Sequence, residues 1–119
     1  MRPQTHLSID PRLCGAPVTL SPGQATVQFV ATAQMAVDEH GLVHGGFVFG
    51  LADHAAMLAV NDPNVVLGAA DTRFLAPVRV GEVVTAHAQV TAEKGRKRTV
   101  EVSATTSAGT VMTGTFTTF

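Results

Sequence analysis

The most distinctive hydrophobic pattern in the chain is an apolar run near its middle. Over residues 47–60 the only polar side chains are Asp53 and His54. A helix without a polar face is buried on all sides, and about 16 residues are too few to span a bilayer comfortably. The run therefore predicts a core helix over 46–60. It ends at the Asn-Asp-Pro-Asn sequence of 61–64, because proline cannot continue a helix.

Alternation of apolar and polar positions predicts β-strands on both sides of this helix. A hairpin around a Ser-Pro-Gly turn comes first, and a polar loop at 38–41 then leads to the helix. The predicted strands are 18–20, 25–33, 65–76, 82–93, 98–107 and 110–119, with turns at 94–97 and 108–109. The two-residue period of a strand puts the following side chains on inward faces: Ala25, Val27, Phe29, Ala31, Val84, Ala86, Ala88, Val90, Val100, Val102 and Ala104.

This order of elements predicts an α+β fold with one long apolar helix and an antiparallel sheet. Such a sheet can bury the helix only by curling around it, which leaves the outer sheet face partly open. Residues 1–15 contain two prolines and little periodicity. We therefore expect an N-terminal arm, either loose or acting as a cap, over 1–15, followed by a single domain over 16–119.

Composition adds an expectation about partners and compartment. Charged residues make up 14% of the 119 positions, against about 25% in an average soluble domain. Apolar surface is therefore expected to be buried against other copies of the chain, in a dimer or a dimer of dimers. The net charge of −1 argues against a nucleic-acid partner.

Cysteine content and hydropathy bear on where the protein works. Cys14 is the only cysteine, so no internal disulfide can form and a reducing compartment is favoured. No apolar signal segment and no run of transmembrane length is present. We expect a soluble, cytoplasmic protein without a membrane partner.

Asp53 is the residue that folding alone does not explain. Burying an ionised carboxylate costs several kcal/mol unless it is paired, and aspartate is a mediocre helix former. A role as general base or nucleophile would account for it. The structural alternative is a carboxylate that caps a neighbouring loop or pairs with a histidine.

His44, Gly45 and Gly46 stand at the start of the predicted helix. Backbone N–H groups at a helix N-terminus are unpaired, the helix dipole is positive there, and glycine lets a substrate approach the backbone. A tight turn is the alternative role for the glycine pair. His44 is expected to orient the loop by hydrogen bonds rather than act as a base. His54 does not share a face with Asp53 and is expected to make packing or interface contacts.

The chain resembles the hotdog-fold acyl-CoA thioesterases, in particular the branch that includes the phenylacetic-acid-pathway thioesterases. The resemblance covers roughly residues 17–119 and rests on His44-Gly45-Gly46, Leu51-Ala52-Asp53, the stretch 74–82, Gly95-Arg96-Lys97 and Gly114-Thr115-Phe116. It implies an antiparallel sheet wrapped around a central helix and hydrolysis of acyl-CoA to free acid and coenzyme A. It also implies no cofactor and two equivalent sites per dimer.

In a site of this kind, the Gly45 N–H would polarise the thioester carbonyl, and Asp53 would activate water or attack the carbonyl carbon directly. The two residues are eight positions apart, which is about 12 Å along one helix at 1.5 Å per residue. They cannot both touch one carbonyl. Two antiparallel helices related by a twofold axis bring Gly45 of one copy to Asp53 of the other, which is also how the family is arranged.

Asp38 is a departure from the family pattern. Many members carry asparagine six residues before the histidine, where it is thought to position substrate or water. A carboxylate at this place could raise the pKa of a nearby Asp53. With His44 and Gly46, Asp38 is a candidate substrate-binding residue.

Two further groups of residues are candidates for contact with substrate. Phe74, with the apolar face of the helix, could line an acyl pocket, although core packing is the usual role of such residues. Arg96, Lys97 and Arg98 belong to a basic cluster that suits the phosphates of coenzyme A. A solvated hairpin turn explains that cluster equally well.

Other functions stay open at this point. A non-catalytic acyl-CoA-binding module would leave the presence of Asp53 unexplained. Such a module in a regulator would also need a DNA-binding segment, which the 15 N-terminal residues cannot supply. A hotdog hydroxyacyl dehydratase would carry its catalytic histidine in a different loop setting. His40, His44 and Asp53 are metal-ligand types, but their spacing matches no zinc motif, so no metal is expected. No serine lies in a nucleophile-elbow context.

Overall fold

A six-stranded antiparallel sheet curls around one long helix in the computed structural model, which describes residues 1–119. The elements in chain order are α1 (Pro11–Cys14), β1 (Ala16–Ser21), β2 (Gln24–Val30), a 3₁₀ turn (Ala33–Met35), α2 (Gly45–Val60), β3 (Leu67–Phe74), β4 (Val83–Lys94), β5 (Lys97–Thr106) and β6 (Gly109–Thr118). The strand order is β1-β2-β4-β5-β6-β3. This is the α+β hotdog arrangement, and the predicted fold class is confirmed.

The predicted elements are all present, with differences at their ends. The helix begins at Gly45, one residue before its predicted start. The strand predicted at 25–33 ends at Val30, because the chain leaves the sheet through the 3₁₀ turn. The turn predicted at 94–97 is tighter than expected, since Lys94 and Lys97 already pair as the last residue of β4 and the first of β5.

The concave face of the sheet and α2 form one hydrophobic core. Every side chain predicted to face inward is buried except Val90, which is half-buried beside an irregularity in the β4–β5 pairing. Phe49 of α2 packs against Phe116 of β6, with ring centroids 5.5 Å apart. The long helix is thus held in the sheet by its own apolar side chains, and its position fixes where Asp53 points.

Residues 1–15 cross the C-terminal half of α2. The side chain of Asn61, the residue that ends α2, accepts a hydrogen bond from the Gln4 N–H at 2.8 Å and donates to the Arg2 carbonyl at 3.1 Å. His54 is buried and its Nδ1 lies 3.1 Å from the Cys14 carbonyl oxygen. His54 therefore makes the packing contacts expected of it. Neither helix is long and apolar enough to cross a membrane.

Candidate functional site

One arc of α2 faces away from its own sheet. The positions there that keep solvent contact are Gly46, Phe49, Gly50, Asp53 and Val60. At 3.6 residues per turn, Asp53 lies near the middle of this arc. The one carboxylate of the helix thus lies on the side away from the sheet, where it is half-buried.

The Asp53 carboxyl is poorly solvated and unpaired. Its Oδ1 atom is enclosed by protein and forms no hydrogen bond. Burial raises the pKa of Asp53 above its ordinary value, and the neighbouring His54 offsets this only in part. An unpaired buried polar atom is costly, and a carboxyl with a raised pKa is a better proton acceptor near neutral pH than an ordinary aspartate. Within the chain, burial and not the charge of Asp38 is therefore the cause of the raised pKa of Asp53.

The start of α2 leaves one backbone donor free. His44 is the N-cap, and its Nδ1 accepts the Gly46 N–H at 2.7 Å. A Cβ on Gly46 would lie 3.0 Å from His44 Cε1, so glycine is needed for the ring to sit over the helix end. The exposed Gly45 N–H has no partner within the chain. Gly45, and not Gly46, is thus the available donor, and His44 orients the turn as expected.

An apolar groove of about 320 Å³ adjoins Gly45. A Cβ on Gly45 would lie 3.6 Å from Cε1 of Phe74, so the Phe74 ring stands beside Gly45. The groove is lined by Val43, Gly45, Val48, Phe74, Leu75, Ala76, Pro77, Val78 and Val111. Phe74 therefore lines a groove, whereas Met57 of α2 belongs to the core and the half-buried Phe49 packs against that core.

Gly45 and Asp53 do not meet within one chain. Both are on the same helix, about 12 Å apart along its axis and about 80° apart around it. A donor at one point and a carboxylate at the other cannot act on a single carbonyl group. A site that uses both residues would need a second copy of the chain.

Asp38 shapes the loop that leads to α2. Its Oδ1 accepts hydrogen bonds from the His40 N–H at 2.9 Å and the Leu42 N–H at 3.1 Å. The side chain is exposed. Asp38 therefore organises the 38–42 loop, and its predicted contact with substrate stays a prediction.

In the basic cluster, Arg98 binds other residues of its own hairpin, whereas Arg96 and Lys97 do not form ion pairs. Arg98 Nε lies 3.1 Å from Glu93 Oε1, and Arg98 Nη1 donates to the Gly95 carbonyl at 2.6 Å. Arg96 and Lys97 are exposed and form no ion pair. Arg98 thus holds the hairpin, which leaves Arg96 and Lys97 as the cations able to bind an anion.

Arg96 reaches a second, smaller groove at the far end of α2 from Gly45. This groove of about 220 Å³ is lined by Val60, Asp62, Asn64, Val65, Arg96, Arg98 and Phe119. Because α2 has 16 residues, its two ends are about 24 Å apart. The structure does not bring the basic cluster to the Gly45 of the same chain.

The largest concavity lies on the outer face of the sheet and is separate from all of these residues. Its volume is about 410 Å³, and it is lined mostly by polar strand residues. Thr26 contacts His87 at 3.2 Å, Glu101 accepts hydrogen bonds from the neighbouring Thr115 at 3.0 Å, and none of the side chains that line the concavity has a buried, unpaired polar atom. We therefore place the candidate site at α2 and not at this concavity.

Sequence reasoning does not find the floor of the apolar groove. Val43, Val78 and Val111 come from three separate segments, which are linked by the Val43–Val78 and Leu75–Val111 backbone hydrogen bonds. The stretch 74–82 stands out as a motif, but its side chains carry no signal of a shared pocket.

The chain is similar in sequence to a known protein family and to known proteins. The profile of the Thioesterase superfamily matches residues 40–113. The chain is 45% identical over 113 residues to methylthioribose-1-phosphate isomerase of Aquifex aeolicus (strain VF5), a match that covers 95% of the chain and 25% of that protein. It is 39% identical over 75 residues to acyl-coenzyme A thioesterase PaaI of Escherichia coli (strain K12), which covers 61% of the chain and 53% of that protein. The matches thus span about a quarter of the first relative and about half of the second.

Two solved structures are close in both fold and sequence. An uncharacterized protein from Pyrococcus horikoshii has a TM-score of 0.98 and 44% identity, over 100% of this chain and 92% of that one. A mutant of the phenylacetic acid degradation protein PaaI from Thermus thermophilus has a TM-score of 0.82 and 31% identity, over 90% of this chain and 93% of that one.

Proposed function

Because the chain belongs to the thioesterase superfamily, as the profile match over 40–113 shows, we propose that it hydrolyses acyl-CoA thioesters to free acid and coenzyme A. The family resemblance drawn from the sequence is thereby confirmed, and the activity is our proposal. The observation that carries it is the enclosed, unpaired Oδ1 of Asp53 on the half-buried side of α2 that faces away from the sheet. Folding gains nothing from a carboxylate in that position, whereas hydrolysis needs a base.

A second copy of the chain supplies the missing half of the site. β3 is an edge strand, and all of its residues except the half-buried Thr72 are exposed. Its ends carry Leu67 and Phe74, which are 37% and 53% exposed. A long, free, partly apolar edge is a template for pairing. Pairing of β3 with the partner's β3 would continue the sheet and set the two α2 helices side by side, in a dimer or in a dimer of dimers.

In this arrangement the chemistry is divided between the two copies. The Gly45 N–H of one copy donates a hydrogen bond to the thioester oxygen and stabilises the oxyanion that develops on it. The partner's Asp53 takes a proton from water as the water oxygen attacks the carbonyl carbon. The C–S bond then breaks, and coenzyme A leaves as the thiolate and is protonated. Direct attack by Asp53, followed by hydrolysis of the anhydride, gives the same products.

The basic cluster fits the same two-copy geometry. If Gly45 faces the partner's Asp53 on antiparallel helices, the C-terminal end of the partner's helix extends seven residues further, or about 10 Å beyond Gly45. The partner's Arg96 lines a groove at that end. One copy would then supply Asp53 and the phosphate-binding cations, while the other supplies Gly45 and the apolar groove.

A thiol-release assay tests the proposed activity. The purified chain is incubated with acyl-CoA esters that differ in acyl group, and free thiol is measured against time. We expect turnover that is lost in the Asp53→Asn variant. Tight binding of the esters without thiol release in the wild-type chain would instead identify a non-catalytic acyl-CoA-binding module.

Charge reversal in the basic cluster should weaken recognition of the nucleotide part of coenzyme A. Arg96→Glu with Lys97→Glu is expected to raise KM for acyl-CoA roughly tenfold, since each exposed ion pair contributes up to about 1 kcal/mol. The effect should shrink as salt is added, because salt screens exposed charges.

The matched substrate for this experiment is an N-acetylcysteamine thioester, which carries the acyl group without the nucleotide. Its kcat/KM should be unchanged in the double variant. An equal loss on both substrates would show that the two cations serve the fold or the assembly instead.

A further inference from the structure

The apolar groove beside Gly45 limits the class of acyl group that the site accepts. We infer that the groove holds the acyl group, and that the preferred substrates carry unsubstituted aliphatic or aryl acyl groups without hydroxyl, carboxyl or amide substituents. This inference rests on the proposed function. It concerns selectivity, which the family assignment leaves open.

The lining of the groove contains no polar side chain. Its nine residues are four valines, glycine, alanine, proline, leucine and phenylalanine. The valines Val43, Val48, Val78 and Val111 are between 3% and 6% exposed and form the floor. Phe74 and Leu75 are more than half exposed and form the rim. An apolar floor with an apolar rim selects a ligand that has no polar group to satisfy.

The backbone of the groove also has few free donors. The Val43 N–H donates to the Val78 carbonyl at 2.9 Å, and the Leu75 N–H donates to the Val111 carbonyl at 2.8 Å. Pro77 has no N–H, and the Gly45 N–H is unpaired. The complementary occupant has one carbonyl group next to an apolar body, as an acyl thioester does.

The apolar lining of the groove distinguishes between the acyl group and the pantetheine arm of the substrate. The pantetheine arm of coenzyme A carries two amide groups, each of which would lose hydrogen bonds with water on entering this groove. A hydrocarbon acyl group loses none and gains contact with the valines and the Phe74 ring. The groove therefore fits the acyl side of the thioester, and the pantetheine arm leaves in the other direction.

The expected selectivity follows from the cost of burying a polar group without a partner. A hydroxyl added to an acyl group that otherwise fits an apolar pocket lowers kcat/KM by about 10- to 10²-fold. An ionised carboxylate is harder to bury than a hydroxyl, so its penalty should be larger than that of the hydroxyl.

Matched pairs of substrates test the inference. We expect kcat/KM for phenylacetyl-CoA to exceed that for 4-hydroxyphenylacetyl-CoA at least tenfold, and butyryl-CoA to exceed succinyl-CoA by a larger factor. Equal values, or preference for the substituted member of each pair, would overturn the inference while leaving hydrolysis established.

Binding keeps the inference separate from the activity. Dissociation constants of the same four esters are measured with the Asp53→Asn chain, in which the groove is intact. The same order of affinities is expected even if the wild-type chain hydrolyses none of the esters, a result that would reject the proposed function alone. Equal affinities within each pair would reject the inference alone.

Two near-isosteric variants locate the selectivity in the groove. Val111→Thr places a hydroxyl in the floor of the groove. It should reduce the ratio of kcat/KM for phenylacetyl-CoA to kcat/KM for 4-hydroxyphenylacetyl-CoA several-fold. Val102→Thr is the matched control, because Val102 is also a buried strand valine, 4% exposed against 3% for Val111, and lies outside this groove. Its ratio should equal that of the wild type.

A rim variant repeats the test outside the buried core, with the oligomeric state checked by light scattering because Phe74 also ends the β3 edge. Phe74 is 53% exposed, and Phe74→Tyr adds a hydroxyl at the mouth of the groove. The ratio should fall with this variant too. An unchanged ratio in both groove variants would show that the acyl group lies elsewhere.

Discussion

Asp53→Asn is expected to lower kcat by at least about 10²-fold, the usual scale for loss of a general base, and to make the protein more stable. Asparagine has nearly the same shape but cannot accept the proton from water. The gain in stability arises because the wild-type chain holds a charged carboxylate whose Oδ1 is enclosed and unpaired. Activity and thermal unfolding of the purified variant measure the two effects.

The pH dependence of this gain has a definite sign. Burial raises the folded-state pKa of Asp53 above the ordinary value of about 3.8, so the unfolded chain loses this proton at lower pH than the folded chain. Stability of the wild type therefore falls as pH rises through the window from 3.8 to the folded-state pKa. The difference in Tm between variant and wild type should be a few degrees at neutral pH and should vanish below that window.

Asp10→Asn is the matched control for both effects. Asp10 caps α1 and pairs with Arg12 at 3.1 Å, and hydrogen bonds from Arg12 lower the pKa of Asp10. Its substitution should leave turnover intact and give no rise in Tm. A fall in Tm of Asp53→Asn would contradict the account, since it would mean that the carboxylate is paired in the assembled protein.

Gly45→Pro is the second change with a large expected effect. It removes one backbone N–H and adds the three ring carbons of proline, the first of which would lie 3.6 Å from the Phe74 ring. Gly45 is the first residue of α2, where proline is well accepted, and His44 has ψ of 127°, which suits a residue before proline. Loss of one oxyanion donor should lower kcat by about 10²- to 10³-fold, with helix content unchanged by circular dichroism.

Gly45→Ala separates the donor from the space beside it. Alanine keeps the N–H and adds a Cβ that would sit 3.6 Å from the Phe74 ring, an ordinary contact. We expect this variant to retain far more of kcat than Gly45→Pro does. Equal losses would show that crowding of the groove, and not the N–H, is the cause.

The fold is predictable from the sequence because its patterns are strong and local. The run at 47–60 lacks a polar face, and the alternation in β4 and β5 leaves one face for the core. The predicted end of β2 is wrong because 31–33 are apolar or β-branched residues whose departure from the sheet depends on the 3₁₀ turn at Ala33–Met35.

The candidate site is only partly predictable. Asp53 stands out because a carboxylate in an apolar helix conflicts with burial, and Gly45 because it precedes that helix. The sequence names Gly45 as the donor but does not show why Gly46 is unavailable, since the His44 ring that accepts the Gly46 N–H is seen only in the structure. Likewise, the basic residues at 96–98 look equivalent in sequence, but only Arg98 folds back onto Glu93 and Gly95.

The central claim is that each site is shared between two copies of the chain. The most direct test mixes Asp53→Asn chains with Gly45→Pro chains after verified subunit exchange. A dimer with one of each has one site with both wild-type residues and one site with both lesions. Random pairing at equal amounts should therefore restore roughly a quarter of wild-type activity per chain, as expected for a twofold dimer. A mixture no more active than its inactive components, or an active monomer by light scattering, would contradict the shared site.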